Sequence, residues 1–442
     1  MYSLRYYQTD ASKAARETDN GILVLPTGAG KSLVIADIVN NTDGHVIVFQ
    51  PNKEILEQNF TKLNDYGFEG ATIFSASLNT KELGKVTFAT IGSVMNKLEL
   101  FEHFEVVIID ECHLVNAKGG QYLDFIDYVK PKKVIGLTAT PYRLHSNSFG
   151  SQIKILTRTR PKVFKDLIHV TQTKELIEQG FLLNPEFVTN QAAADKRTML
   201  RLNSTGANYT DDSVKRYLAA IDSVDEAHKS IYSAIQAGKK HILVFTESVN
   251  DSEALIALIE RDNKGIIEGK TTIATVNALT KKKDREKLLE GFKSGEIQVM
   301  VNVGVLTTGF DFPELDCIIV GRPTMSLSLW YQMVGRVVRP YPNKKPVVYD
   351  ICGNYQYFGN PLDLELKKTN DKLWDVYNGT RQLTTRPLEE SNLAQEEKMT
   401  FGKFAGQRMS DVPTSYLQWG VENINSEAIK QKLQTELSKR LD

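Results

Sequence analysis

The sequence predicts an α/β protein, with two parallel-sheet domains in tandem and a small C-terminal module. Three observations lead there. Short apolar runs alternate with amphipathic segments through residues 1–150, and again through 230–360. Several runs, such as Val46-Ile47-Val48-Phe49 and Val106-Val107-Ile108-Ile109, are continuously apolar, as suits parallel strands buried on both faces. Beyond about residue 360 the alternation stops and the composition turns polar. A chain of 442 residues has room for two or three separate cores.

In the first domain the runs at 22–25, 45–50, 71–74, 86–89, 105–109 and 133–137 read as strands. Residues 33–39, 53–63, 91–98 and 121–129 carry apolar residues at helical spacing between them. Residues 151–229 break the rhythm with Ser/Thr/Asn-rich pieces, and they read as a connector with insertions. The alternation resumes with strands at 241–245, 265–268, 298–301, 317–320 and 347–349, and helices at 251–260, 284–292 and 326–337. Residues 361–398 read as a linker. Residues 399–442 regain apolar and aromatic residues, and Trp419 is expected to pack in the core of that module, with base stacking as the alternative.

Composition sets outer bounds. Apolar residues make up 41% and charged residues 24%, ordinary values for a globular protein in water. No apolar run is long enough to span a bilayer, and no apolar stretch follows Met1 that would read as a leader. The three cysteines, Cys112, Cys317 and Cys352, are odd in number and far apart. That spacing argues against a disulfide framework or a zinc site and points to the cytoplasm. Net charge is zero, so a nucleic-acid ligand would need a local basic surface. Residues 130–165 hold nine Lys/Arg and no Asp or Glu. Within them Arg143, Lys154, Arg158, Arg160 and Lys162 are candidates for phosphate-backbone contact. A solvated loop is the alternative.

One stretch carries the chemistry. Leu25-Pro26-Thr27-Gly28-Ala29-Gly30-Lys31-Ser32 follows a predicted strand and precedes a predicted helix, which is the setting of a phosphate-binding P-loop. Glycines let the backbone approach phosphate without a Cβ in the way. The N–H groups of Thr27, Gly28, Ala29 and Gly30 would then face the phosphates, with the helix N-terminus behind them. Lys31 would reach the β- and γ-phosphates of ATP, and Ser32 would hold Mg²⁺. The strict pattern has Gly or Ala where Leu25 stands. Asp110-Glu111-Cys112-His113 ends another predicted strand. At such an edge Asp110 would hold Mg²⁺ and Glu111 would polarise the attacking water.

With these residues in hand, the chain resembles the superfamily 2 helicases and translocases, through an ordered motif set over roughly residues 4–353. Leu4-Arg5-Tyr6-Tyr7-Gln8 is similar to the adenine-reading glutamine motif, with Arg5 and Gln8 at the base. Phe49-Gln50-Pro51-Asn52 and the segment Phe88-Ala89-Thr90-Ile91-Gly92-Ser93 resemble motifs Ia and Ib, which implies nucleic-acid contact at Pro51, Asn52 and Thr90. Thr138-Ala139-Thr140 resembles motif III, and Leu243-Val244-Phe245-Thr246 resembles motif IV. The run from Val303 through Thr307, Gly309 and Asp311 to Pro313 is similar to motif V. Gln332-Met333-Val334-Gly335-Arg336-Val337-Val338-Arg339 is similar to motif VI.

The resemblance implies two RecA-like domains closing on ATP and Mg²⁺. Gln332, Arg336 and Arg339 would join the catalytic set. Arginines three apart share a helix face, and planar guanidinium groups suit the charge of a transferring phosphoryl group. Asp311 would accept from a ribose hydroxyl or from an arginine. Thr246 and Thr307 would face nucleic acid. Finer likeness is to RadD-type repair helicases and UvsW-type phage branch-migration helicases. It implies forked, branched or single-stranded DNA as partner, along with proteins of a replication or repair system. The setting would be a bacterial cytoplasm, or the host's if the chain is phage-encoded. An RNA helicase, a restriction motor and an ATP-gated nucleic-acid clamp remain the alternatives.

Overall fold

The computed structural model describes residues 3–147, 150–204, 208–262, 272–306, 310–369, 373–384, 399, 402–405, 407, 409, 412–424 and 426–439. The expected strand at 265–268 and two expected site residues, Thr307 and Gly309, lie outside the described residues.

Eight strands form the first sheet, in the order Leu167–Val170, Asn20–Val24, Lys133–Thr138, Val106–Asp110, Val46–Phe49, Val86–Ala89, Ala71–Ser75 and Thr80–Lys81. All pairs are parallel except the last. Strand Val46–Phe49 is buried at every position and Val106–Asp110 likewise, so the continuous apolar runs do mark strands covered on both faces. Register sets the site. Val24 lies opposite Thr138, and Leu137 opposite Asp110. The P-loop, the acidic pair and Thr138 therefore leave three adjacent strands at the same edge.

The second sheet is fully parallel, in the order Glu186–Thr189, Val347–Asp350, Cys317–Gly321, Ile242–Thr246, Val299–Asn302 and Ile273–Val276. Helices Asp211–Ala220, Ser223–Gln236 and Val249–Asp262 cover one face of it with their apolar sides. The other face joins a continuous core with the first domain, through Phe245, Phe310, Trp330 and Val337.

The 151–229 segment, expected as a connector with insertions, supplies an edge strand to each sheet, Leu167–Val170 and Glu186–Thr189. The expected linker at 361–398 begins with an antiparallel sheet, Leu364–Lys368, Trp374–Asn378 and Arg381–Gln382. That sheet is pinned to the first domain. The Gln172 amide donates to Leu366 O at 2.8 Å and accepts from Leu366 N at 3.2 Å, and Trp374 Nε1 donates to Asp166 at 2.9 Å. Polar composition misleads here because the strands are short and half exposed. The C-terminal module pairs helices Thr414–Asn423 and Glu427–Lys439 around Met399, Met409, Val412, Leu417 and Leu433. Among the described residues no helix is long and apolar enough to cross a membrane.

Candidate functional site

The loop after strand Asn20–Val24 turns on two glycines with positive φ, Gly28 at +87° and Gly30 at +83°. A Cβ on Gly30 would lie 2.4 Å from Gln8 Nε2. Gln8 occupies that space for a reason: Nε2 donates to Ala29 O at 2.8 Å, and Tyr7 Oη donates to the same oxygen at 3.0 Å. Gln8 Oε1 accepts from Arg5 N at 2.9 Å. Each end of the buried amide is thus engaged once, leaving one N–H and one lone pair for an adenine edge. The Arg5 guanidinium lies 4.2 Å from the centre of the Phe181 ring. Leu25, the departure from the strict pattern, is fully buried, with its N–H on Thr138 O at 3.1 Å. Its place is in the core, away from the phosphate cradle.

Helix Lys31–Asn40 starts directly behind Gly30. Lys31 Nζ lies 3.4 Å from Glu111 Oε1, and Glu111 Oε2 lies 3.3 Å from His113 Nδ1. Glu111 adopts a left-handed backbone, φ +50°, a strained conformation of the kind found at functional sites. Burial by itself would raise the Glu111 carboxyl, but Lys31 and His113 outweigh it and hold the group below the usual range. Asp110 is raised, by burial first and then by the neighbouring Glu111 charge. Lys31 thus favours the ionised form of Glu111, the residue expected to act on water.

Asn59 ties the two expected Mg²⁺ ligands together. Ser32 Oγ donates to Asn59 Oδ1 at 2.7 Å, and Asn59 Nδ2 donates to Gln50 Oε1 at 3.0 Å and Asp110 Oδ2 at 3.2 Å. His113 does similar work on the other side. Its Nδ1 lies 2.9 Å from Thr138 Oγ1, which also accepts from Thr140 N at 3.0 Å, and its Nε2 lies 3.4 Å from Gln332 Nε2 in the second domain.

The second domain closes over this edge. Helix Leu327–Val334 ends at Gly335, where an added Cβ would meet Thr27 Cβ at 2.9 Å. A Cβ on Gly28 would meet Arg339 Cγ at 3.3 Å. Arg336 Nη1 donates to Phe310 O at 2.8 Å. Burial pulls both arginines down to about 10, so both remain cations at neutral pH. Asp311 pairs with Arg339 and with Lys62 of the first domain, the latter at 2.5 Å. Of its two expected partners, the structure supplies the arginine.

The comparisons with known proteins bear on the family and the fold. Residues 1–143 match the family model "Type III restriction enzyme, res subunit", and residues 225–341 match "Helicase conserved C-terminal domain". A 51.5 kDa protein of a Lactococcus phage is 26% identical over 76% of this chain and 66% of its own length. The DNA 3'-5' translocase XPB2 of Sulfurisphaera tokodaii is 25% identical over 76% of this chain and 78% of its own. This chain belongs to the superfamily 2 helicases. Its fold is similar to that of part of a DNA-bound Type ISP restriction-modification enzyme, LlaBIII, at TM-score 0.56 and 17% identity, over 79% of this chain and 27% of that one. Residues 390–424 match a further model, "Putative quorum-sensing-regulated virulence factor".

As a helicase of this superfamily the chain uses ATP, and the cleft gathers Gln8, the loop from Thr27 to Ser32, Asp110, Glu111, Asp311, Gln332, Arg336 and Arg339. The expected nucleic-acid contacts fare differently. Arg158 does not face solvent: it is mostly buried and pairs with Asp375 at 2.9 Å. Arg143 donates to Val115 O at 2.7 Å. Lys132 pairs with Glu105, and Lys133 caps the carbonyls of Ala15 and Arg16. Several cations of the acid-free stretch, both buried and exposed, thus have partners elsewhere in the chain. Arg160 and Lys162 are exposed and Lys154 is half-buried.

Asn52 caps helix Lys53–Asp65 by accepting from Ile55 N at 2.9 Å, directly after Pro51. The Thr90 hydroxyl pairs with Ser93, and that of Thr246 with Ser248 O. Sequence reasoning missed Asn59, Gln50 and Lys62. A signal existed for Asn59, a polar residue on the buried stripe of Ile55, Leu56 and Leu63.

Proposed function

We propose that this chain is an ATP-driven DNA motor that couples hydrolysis to unwinding or remodelling of forked or branched DNA. The single observation that carries the reading is the contact across the cleft, with Gly335 against Thr27 and Arg339 against Gly28. A nucleotide seated there touches both domains, so its hydrolysis changes how the domains are held, and relative domain motion becomes movement along a strand.

Each residue has work to do in that cycle. Lys31 and the N–H groups from Thr27 to Ser32 bind the phosphates. Glu111, kept ionised by Lys31, orients and polarises the attacking water. Arg336 and Arg339 lie where negative charge grows in the transition state. The donor set fits a divalent cation, because a hydroxyl and a carboxylate, Ser32 and Asp110, converge on the one side chain of Asn59. Ser32 and Asp110 would hold Mg²⁺ there, and the ion would supply neutralisation of phosphate charge. Likeness to a protein named a DNA translocase supports DNA over RNA. The cytoplasm is the proposed setting, with replication or repair proteins as partners.

ATP turnover measured side by side with forked, single-stranded and duplex DNA and with RNA tests the reading. Forked DNA should stimulate most. Lys31→Ala should abolish turnover, a loss of roughly a hundredfold or more, and Glu111→Gln should bind ATP without hydrolysing it. Turnover indifferent to DNA would overturn the motor. A second reading, the motor of a restriction system, rests on the family match over residues 1–143. It predicts stimulation by long duplex DNA in preference to forks. Stimulated turnover without strand displacement or translocation would mark a clamp.

A further inference from the structure

The three tryptophans are treated differently. Trp330 is fully buried and its indole N–H donates to Gly359 O at 3.2 Å. Trp374 donates to Asp166 at 2.9 Å. Trp419, expected in the core of the C-terminal module, is 48% exposed, and among the described residues its indole N–H has no hydrogen-bond partner. The core of the module is made without it, by Met399, Met409, Val412, Leu417 and Leu433. Helical spacing explains the split: Leu417 and Gly420 are buried on helix Thr414–Asn423, Tyr416 lies half-buried against the edge of that core, and Trp419, one turn further on, faces outward.

The outer side is an ordered platform. The Tyr416 and Trp419 rings stack at 5.3 Å with 28° between planes, and Phe404 meets Tyr416 edge-on at 4.8 Å. The Lys403 ammonium lies 5.0 Å from the Phe404 ring centre and 5.5 Å from that of Tyr416. Gly402, at φ +67°, makes room for the arrangement, since a Cβ there would collide with Tyr416 Oη. An exposed flat ring backed by a second ring, with a cation over the two rings behind it, matches one ligand chemistry closely. A nucleobase offers a flat π face for the indole, and its phosphate offers a negative charge for the ammonium. A greasy helix or strand of a protein partner would use the rings but not the cation.

We propose that the C-terminal module is a second nucleic-acid site, holding a single strand by stacking a base on Trp419 and pairing a phosphate with Lys403. The proposal deepens the motor reading, on which it rests for its biological sense, but its chemistry is independent of the ATP cleft. A strand gripped on the module would stay attached while the cleft opens and closes.

The test uses the full chain, a short oligothymidylate, and an abasic backbone of the same length. Oligothymidylate should quench intrinsic tryptophan fluorescence saturably, and the abasic backbone should not. Trp419→Ala should remove the quenching and weaken binding roughly 5- to 100-fold, the range typical of a stacked base. Trp419→Phe, which retains a ring and controls for folding, should keep most of the affinity. Lys403→Gln should lower the salt slope by about 0.7. DNA-free ATP turnover should stay at the parent level in all three variants. Equal affinity in parent and Trp419→Ala, or equal binding of the abasic backbone, overturns the site. Its failure and that of the motor are separable. Quenching that persists in Lys31→Ala, with a parent whose turnover ignores DNA, sustains the module and sinks the motor. Stimulated turnover with identical oligothymidylate affinities in parent and Trp419→Ala does the reverse.

Discussion

Replacing Asn59 by leucine removes a buried hub without opening a cavity. Asn59 is 8% exposed, while Gln50 and Asp110 beneath it are 0% and 4% exposed. Leucine keeps the volume but neither donates nor accepts. Gln50 Oε1 and Asp110 Oδ2 each lose a donor, at 3.0 and 3.2 Å, and Ser32 Oγ loses an acceptor at 2.7 Å. The serine hydroxyl can rotate toward the loop, whereas the other two groups are held. Two stranded buried groups at about 1–3 kcal/mol each, less about 1 kcal/mol for burying the leucine, leave a net cost of about 1–5 kcal/mol. For a domain of this size that is a fall in Tm of roughly 2–20 °C. Calorimetry of parent and Asn59→Leu, with and without Mg-ADP, reads it directly. The gap should narrow with Mg-ADP, because ligands then supply Ser32 and Asp110 with partners that do not depend on Asn59. A variant as stable as the parent would falsify the hub. A gap indifferent to Mg-ADP would show that Asn59 is a core residue with no link to the metal ligands.

Three further outcomes are expected. Gly335→Ala places a methyl group 2.9 Å from Thr27 Cβ across the cleft, so ATP turnover should fall about tenfold or more while each domain keeps its fold; unchanged turnover would mean the cleft does not close this way in the cycle. Arg158→Ala strands Asp375 inside the protein and should cost about 3–5 kcal/mol of stability, whereas Lys154, Arg160 and Lys162 changed to Ser together should leave the unfolding midpoint unmoved and flatten the salt dependence of DNA binding. Equal stability losses in the two variants would place all four cations in one structural network. Lys344 is drawn down to about 7 from 10.5, chiefly by burial, with its Nζ on Pro313 O and Arg339 O. The folded chain therefore binds fewer protons than the unfolded chain between those values, and this residue's contribution to stability grows as pH rises through that window. Denaturant titrations at several pH values should show a shallower rise in Lys344→Met than in the parent; identical slopes would refute the assignment.

Much of the candidate cleft was legible in the sequence, because the features that build it are local in the chain. A P-loop needs glycine at the two left-handed positions, Gly28 and Gly30, and a helix directly behind them. An acidic pair needs a buried strand to carry it to the sheet edge, and arginines at 336 and 339 need only one helical turn. Such constraints act between near neighbours, so they leave a mark in the order of residues.

Tertiary structure decided the rest, because partners far apart in sequence leave no local mark. Asn59 reaches Asp110 across 51 positions, and Lys62 reaches Asp311 across 249. The acid-free run at 130–165 looked like an open basic surface because its acids, Glu105 and Asp375, arrive from other elements. The half-polar strands at 364–382 looked like a linker because their stability comes from being pinned to Asp166 and Gln172, outside the segment. Trp419 is apolar in composition and exposed in fact, since the small core beneath it is already filled. Burial depends on what is left to cover a side chain once the chain has folded, and no window of sequence contains that information.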